Sequence, residues 1–248
     1  MTPPVDTLPS FAASDVPAVT SAQMREVDRV MIEELGISLV QMMENAGLQL
    51  ADLVTRHIAA PLVGGRVAVL AGRGNNGGGG LAAARRLSNW GPDVTVVLAD
   101  APEEFRDTPA LQLSILRRMN VPISQFDGTL PAHDVLVGAL IGYGLAGAPR
   151  GITRDVIVAA NESAAPTISL DAPSGVDVDT GETPGEAIRA QVTLTLALPK
   201  IGLLEPCARS LVGELYVADI GVPPSVYAGL GLDLPPLFAD GPLVRLIR

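Results

Sequence analysis

The stretch RVAVLAGRGNNGGGGLAAARRLSNW, residues Arg66 to Trp90, decides the fold of this chain. Its first part, Arg66–Ala71, is a short apolar run with little alternation, which is typical of a parallel strand buried on both faces. The segment Gly72–Gly80 is mostly glycine and predicts a turn at which a backbone closely approaches a bound ligand. A helix follows, and the free N–H groups at its beginning favour an anionic group such as a phosphate.

Strands and helices continue to alternate along the chain. This spacing predicts an α/β protein with a mainly parallel sheet and helices on both faces. Two amphipathic helices precede Arg66 and begin near Thr20 and Ser38. We expect residues 1–19 to be a flexible segment, residues 20–225 to be the domain and residues 226–248 to be a tail. The later predicted strands are Asp93–Ala99, a short edge strand Val121–Ile123, His133–Leu140, Thr167–Leu170, Val192–Leu198 and Glu214–Ile220, with helices at about Thr108–Met119 and Ile152–Glu162.

Composition argues against several classes of partner and of site. Seventeen basic and 27 acidic residues give a net charge of −10, which disfavours nucleic acid and anionic membrane surfaces. The single cysteine, Cys207, rules out an internal disulfide framework and a cysteine metal site. No apolar run reaches transmembrane length, and the first residues lack the charged and apolar regions of a signal peptide. We therefore expect a cytoplasmic protein.

The unusual segments all follow strands, at Gly72–Gly80, Ile141–Gly151, Asp171–Gly175 and Pro199–Gly202. In parallel sheets ligands bind beyond the carboxyl ends of the strands, so these four segments should meet at one site. Asp171 is placed there for general acid or base chemistry, although an Asx turn would also explain it.

Lys200 is the only lysine among the seventeen basic residues. Arginine does not titrate at ordinary pH, so a retained lysine indicates a need for a compact ammonium near Asp171. A leftover lysine without a role is the alternative.

The residues Gly72–Gly77 match the pattern G-x-G-x-x-G, and Asp100 follows the next strand where a ribose-binding acid would lie. The pattern alone leaves an NAD(P)-dependent oxidoreductase open. Two preceding helices, and the lack of an evident hydride-transfer partner, count against this interpretation.

Six ordered blocks stand out over about residues 20–225, namely Gln41–Gly47, Gly72–Gly80, Gly138–Gly151, Ser169–Gly181, Ala197–Leu203 and Val217–Pro224. In this order they resemble the YjeF N-terminal domain family, the NAD(P)H-hydrate epimerases. The resemblance implies a Rossmann-like three-layer α/β/α sandwich. It also implies interconversion of the R and S epimers of hydrated NADH and NADPH, in nicotinamide nucleotide repair, with a separate NAD(P)HX dehydratase acting on the S epimer.

The same resemblance implies the roles of individual residues. Asp171 is the expected acid–base residue, assisted by Lys200, and a homodimer is implied as in the family. Potassium ligands would fall on Asn76, Gly138 and Ser174. The hydrated dinucleotide would bind Asp171 and two loops, namely Asn75, Asn76, Gly77, Gly78 and Gly79, and Gly142, Tyr143, Gly144, Leu145, Ala146, Gly147 and Ala148.

The chain departs from the family pattern at two positions, because Gly79 and Gly138 stand where the family usually has aspartate. The loss at Gly138 removes the expected anionic ligand of the potassium ion, and neutral oxygens alone hold a cation more weakly. The alternative function is therefore a catalytically degenerate member that acts as a nucleotide-binding module.

Overall fold

The computed structural model describes residues 8–57 and 63–248. Within these residues the strands are β1 (Ser10–Ala12), β2 (Arg66–Ala71), β3 (Asp93–Leu98), β4 (Ile123–Gln125), β5 (Val135–Ala139), β6 (Thr167–Leu170), β7 (Val192–Leu196), β8 (Glu214–Ala218) and β9 (Leu243–Ile247). They form one sheet in the order β1-β9-β8-β7-β6-β5-β2-β3-β4. Every neighbouring pair is parallel except β8 and β9, which are antiparallel.

Helices cover both faces of this sheet. The side chains of β2 show the arrangement, because Val67 and Val69 pack in one core with helices α2, α3 and α4, whereas Ala68 and Leu70 pack in another with α5. This confirms the predicted three-layer α/β/α architecture. The helices are α1 (Ser21–Arg29, continued by a π-helical segment Val30–Glu34), α2 (Leu39–His57), α3 (Asn75–Trp90), α4 (Asp107–Arg118), α5 (Gly151–Glu162), α6 (Ile201–Leu204), α7 (Arg209–Val212) and α8 (Pro224–Gly229).

The glycine-rich segment differs from its prediction as a turn. Helix α3 begins at Asn75, so the glycines from Gly77 to Gly80 lie inside the first turns of the helix. A Cβ atom at Gly77 would lie 1.7 Å from the carbonyl oxygen of Gly72, and one at Gly80 would lie 2.5 Å from the Cβ of Ala139. Glycine is a poor helix former, but here its missing side chain lets α3 pack closely on the sheet and on its own preceding loop.

The two ends of the chain also differ from the prediction. Residues 1–7 lie outside the described residues, but Ser10–Ala12 pairs with β9, and the following Val16 and Val19 are buried. Residues 226–248 are not a simple tail, since Leu243–Ile247 pairs with β8. Each segment completes the sheet by pairing with strands distant in sequence, which is why neither local pattern indicated a strand.

In the part of the chain that the structure describes, no helix is both long and apolar enough to span a membrane.

Candidate active site

A cavity of about 780 Å³ lies beyond the carboxyl ends of strands β2, β5, β6 and β7. Each of the four unusual segments of the sequence contributes to its lining, and helices α1 and α2 cover it from the side. The volume falls in the range of roughly 300–1,000 Å³ that small-molecule and cofactor sites occupy. The predicted convergence of the four segments is therefore present in the structure.

Asp171 and Lys200 form a buried ion pair in this cavity. Asp171 directly follows β6 with a left-handed backbone (φ 63°), and its Oδ1 accepts a hydrogen bond of 2.5 Å from Lys200 Nζ. The same ammonium donates to Thr195 Oγ1 at 3.1 Å and to the carbonyl oxygen of Leu196 at 2.9 Å. Lys200 is fully buried, with 0% exposure of its side chain, while the side chain of Asp171 is 5% exposed. Three acceptors for three N–H bonds fix the ammonium beside the carboxylate.

The second oxygen of Asp171 is held by the loop that follows β5. Its Oδ2 accepts a hydrogen bond of 2.7 Å from the backbone N–H of Tyr143. Gly142 makes this approach possible, because a Cβ atom there would lie 2.6 Å from the same oxygen. Both carboxylate oxygens of Asp171 are therefore oriented by the protein.

Asn76 lines the cavity with a buried amide group that has no hydrogen-bond partner among the described residues. A Cβ atom at Gly142 would lie 3.2 Å from Asn76 Oδ1, which places the amide next to the Asp171 loop. Since buried polar groups are almost always hydrogen-bonded, an orphaned amide in a cavity suits a polar ligand.

The dinucleotide-binding residues that the resemblance implies fall into two groups. Asn75, Asn76 and Gly79, together with the whole loop Gly142–Ala148, line the cavity. Gly77 and Gly78 are buried within α3 and do not line it.

Of the three implied potassium ligands, one lines the cavity. Asn76 lines it, but Ser174 is fully buried and its hydroxyl already accepts from the N–H and donates to the carbonyl oxygen of Ile141, at 2.9 and 3.0 Å. Gly138 lies within β5, and a Cβ atom there would face Ile188 Cδ1 at 2.9 Å and Ser169 Oγ at 3.2 Å. Among the described residues, no three His, Cys, Asp or Glu side chains are grouped so as to hold a metal ion.

Helix α1 brings two residues to the cavity that the sequence analysis missed, Arg25 and Asp28. Asp28 Oδ2 accepts a hydrogen bond of 2.5 Å from the hydroxyl of Tyr143, and the Arg25 guanidinium lies 6.0 Å from the centroid of the same ring. Burial raises the pKa of Asp28, and the hydrogen bond from Tyr143 and the charge of Lys200 partly oppose that rise. The only sequence signal was their position beside the apolar stripe of α1, which many surface residues share.

Asp179 fixes the position of helix α1 over the cavity. Its Oδ1 accepts from the backbone N–H of Ser21 and its Oδ2 from the Ser21 hydroxyl, both at 2.6 Å. Thr20 caps the same helix through a capping box with Gln23. The loop after β6 thus supplies Asp171 to the cavity and also anchors the helix that carries Asp28.

Comparison with known proteins points to a single family. The model of the family described as YjeF-related protein N-terminus matches residues 39–202. An NAD(P)H-hydrate epimerase of Dehalogenimonas lykanthroporepellens is 46% identical over 233 residues, which cover 92% of each chain. A bifunctional NAD(P)H-hydrate repair enzyme, Nnr, of Moorella thermoacetica is 37% identical over 219 residues, which cover 85% of this chain and 41% of that enzyme.

The fold comparison agrees with the family match. The crystal structure of the yeast protein ynu0 superposes with a TM-score of 0.79 at 25% identity, over 93% of this chain and 100% of that one. The chain therefore belongs to the family of YjeF-related protein N-terminus domains.

Proposed function

We propose that this protein is an NAD(P)H-hydrate epimerase, an isomerase that interconverts the R and S epimers of hydrated NADH and NADPH in nicotinamide nucleotide repair. The observation that carries the proposal is the buried Asp171–Lys200 pair, which the sheet presents to a cavity of dinucleotide scale. The names of the similar epimerases support the same assignment.

The chemistry requires proton transfer but neither an oxidant nor a reductant. Addition of water to a dihydronicotinamide places a hydroxyl on the ring carbon next to nitrogen, and epimerisation inverts that carbon. Asp171 is suited to move a proton there, since both its oxygens are oriented and a positioned acid or base is worth about 10²–10⁴-fold in rate. Lys200 stabilises its carboxylate and holds it in place.

We expect the phosphates of the substrate to lie at the beginning of α3. Asn75 and Asn76 of the first helical turn line the cavity there, and the N–H groups of a first turn lack partners within the helix. The loop Gly142–Ala148 would form the opposite wall, and the orphaned amide of Asn76 would hydrogen-bond to the substrate.

Potassium remains an expectation from the resemblance. The unpartnered Oδ1 of Asn76 suits a cation, but Ser174 is occupied by Ile141 and Gly138 has no side chain. The donor set contains no carboxylate and does not fit a tightly held ion, so the proposed proton transfers do not involve potassium. Epimerisation that is insensitive to an exchange of potassium for sodium would agree with this assignment.

The test is to mix the purified protein with (R)-NADHX or (R)-NADPHX and to follow the epimer ratio by chromatography. We expect equilibration well above the buffer rate, and loss of that acceleration in a folded Asp171→Asn variant. Absence of acceleration in the wild type, with or without potassium, would refute the epimerase. Tight binding of the hydrate without turnover would favour the alternative, a degenerate nucleotide-binding module. Tight binding of unhydrated NAD(P)H would favour an oxidoreductase.

We further propose a cytoplasmic location and a functional link to a separate NAD(P)HX dehydratase. The link is supported by the similar bifunctional NAD(P)H-hydrate repair enzymes, of which this chain spans about two fifths. A homodimer is also proposed, with exposed Ile32 and Leu35 near the end of the α1 segment as the apolar surface that it would cover. Light scattering of the purified protein tests the dimer.

A further inference from the structure

Asp28 reaches the cavity from helix α1, whereas Asp100 and Asp171, which also line it, follow strands. It lies on α1 and lines the cavity, and its Oδ2 is bound to the hydroxyl of Tyr143. Its Oδ1 makes no hydrogen bond to any described residue, so one oxygen of this half-buried carboxyl is free to meet a ligand.

Tyr143 connects Asp28 to the acid–base centre. Its backbone N–H donates to Asp171 Oδ2 at 2.7 Å, while its hydroxyl donates to Asp28 Oδ2 at 2.5 Å. The two carboxyl groups therefore lie at opposite ends of one residue and border the same cavity. The Tyr143 hydroxyl therefore holds one oxygen of Asp28 in a fixed orientation at the edge of the cavity.

We propose that Asp28 is a second acid–base residue of the site, which works on one face of the hydrated ring while Asp171 works on the other. This inference rests on the proposed epimerase function. Inversion of a carbon requires a group to leave from one face and to add to the other, and a single fixed carboxyl serves one face only.

The proposed step balances as follows. Asp28 gives its proton to the ring hydroxyl, the C–O bond breaks, and water leaves as the lone pair of the ring nitrogen forms a C=N bond. A water molecule then adds to the other face of the planar carbon, a new C–O bond forms, and Asp171 takes the released proton. Exchange with solvent returns both carboxyls to their starting states, and the reverse reaction exchanges their roles.

The surroundings of the two carboxyl groups differ as the proposal requires, because Asp28 starts as the proton donor and Asp171 as the proton acceptor. Asp171 is paired with the buried ammonium of Lys200, which stabilises its carboxylate. The groups facing Asp28 are Tyr143 from the loop after β5, Asp171 from the loop after β6, Lys200 from the segment after β7, and Arg25 on its own helix. Burial raises the pKa of Asp28, which keeps it protonated to a higher pH than an ordinary carboxyl.

The test compares Asp28→Asn with Glu26→Gln in the epimerisation assay. Glu26 is a matched control, because the same carboxyl-to-amide change falls two residues away on an exposed part of the same helix. We expect Asp28→Asn to lower kcat by about 100-fold or more, with little change in KM, and to abolish the alkaline limb of the pH–rate profile. Glu26→Gln should retain the wild-type rate and profile, and Asp28→Glu should recover part of the activity.

The pH–rate profile of Tyr143→Phe provides a second test. If the role of Asp28 were purely structural, this substitution would leave the alkaline limb of the profile unchanged. The Tyr143 hydroxyl lowers the pKa of Asp28, so its removal should shift the alkaline limb of kcat to higher pH. A folded Asp28→Asn protein with wild-type kcat, or an unmoved alkaline limb in Tyr143→Phe, would overturn the inference while leaving the epimerase function intact. A wild-type protein that does not epimerise the hydrate would overturn both.

Discussion

The buried pair of Asp171 and Lys200 makes a quantitative prediction about stability. Lys200→Met removes the ammonium but keeps an unbranched chain of similar length, so the packing around it is largely retained. Asp171 is then left as a buried carboxylate whose remaining donor is the N–H of Tyr143. Asp171→Asn does the converse, since it leaves an ammonium with only neutral acceptors, Thr195 and Leu196.

The magnitude follows from the burial of the two side chains, 0% exposed for Lys200 and 5% for Asp171. Removal of one partner of such a pair costs about 3–5 kcal/mol, because an uncompensated charge stays buried. The double variant Lys200→Met with Asp171→Asn buries no charge. We therefore expect it to be less destabilised than the sum of the single variants, with a coupling of about 0.5–3 kcal/mol.

Urea unfolding of the wild type, both single variants and the double variant at pH 7 measures this coupling. The matched control is the exposed pair of Arg66 and Asp134, with side chains 48% and 34% exposed, where the same cycle should show little effect. Additive losses in the Lys200–Asp171 cycle, or a Lys200→Met variant as stable as the wild type, would show that the two groups are not held as a buried ion pair.

Three further predictions concern the supporting structure. Gly77→Ala should lower the free energy of unfolding by about 3 kcal/mol or more, because its Cβ would overlap the carbonyl oxygen of Gly72. The control, Gly74→Ala, has open space at the beginning of the same helix and should cost less than about 1 kcal/mol. Equal losses of stability by thermal unfolding would contradict the packing argument. The raised pKa of Asp28 means that the folded protein loses stability as the pH rises through that pKa. Asp28→Asn should therefore be more stable than the wild type at pH 7, and the difference in stability should vanish below the ordinary pKa of 3.8. Urea unfolding midpoints measured across this pH range test the direction of the effect. Burial raises the pKa of Glu44, but its hydrogen bonds and ion pairs with α3 and α4 outweigh burial, so the net pKa is lowered. Glu44→Gln should therefore lower the free energy of unfolding by about 1–3 kcal/mol at pH 7, and this loss should shrink as the pH falls below 4.5. A loss of stability that does not change with pH would attribute the effect to packing.

The sequence predicted the central part of the fold because that part is governed by local patterns. Strands such as β2 and β6 were predicted with their observed bounds, because each is a short apolar run flanked by residues that favour turns. The glycines of α3 were assigned to a turn because glycine is a poor helix former and the sequence does not show which residues pack closely against it. The observed close contacts, of Gly77 with Gly72 and of Gly80 with Ala139 of β5, explain why a helix tolerates them.

The candidate site was predicted as far as strand ends determine it. Asp171 and Lys200 could be placed together because parallel strands end at one edge of the sheet. Asp28 could not, because it reaches Tyr143 across 115 residues of sequence and from a helix rather than from a strand end. The pairing of β1 with β9 escaped prediction for the same reason, since it joins the two ends of the chain.

The two missing aspartates bear on the site less directly than their sequence positions suggest. A Cβ atom at Gly79 would lie 2.7 Å from Leu170 Cδ2, so a larger residue there would press on the side chain that immediately precedes Asp171. A Cβ atom at Gly138 would face Ile188 and the unpartnered hydroxyl of Ser169. Neither glycine interrupts the hydrogen bonds that join Lys200, Asp171, Tyr143 and Asp28. The departure at Gly138 therefore removes the carboxylate expected beside an ion, while the groups that would transfer protons are retained.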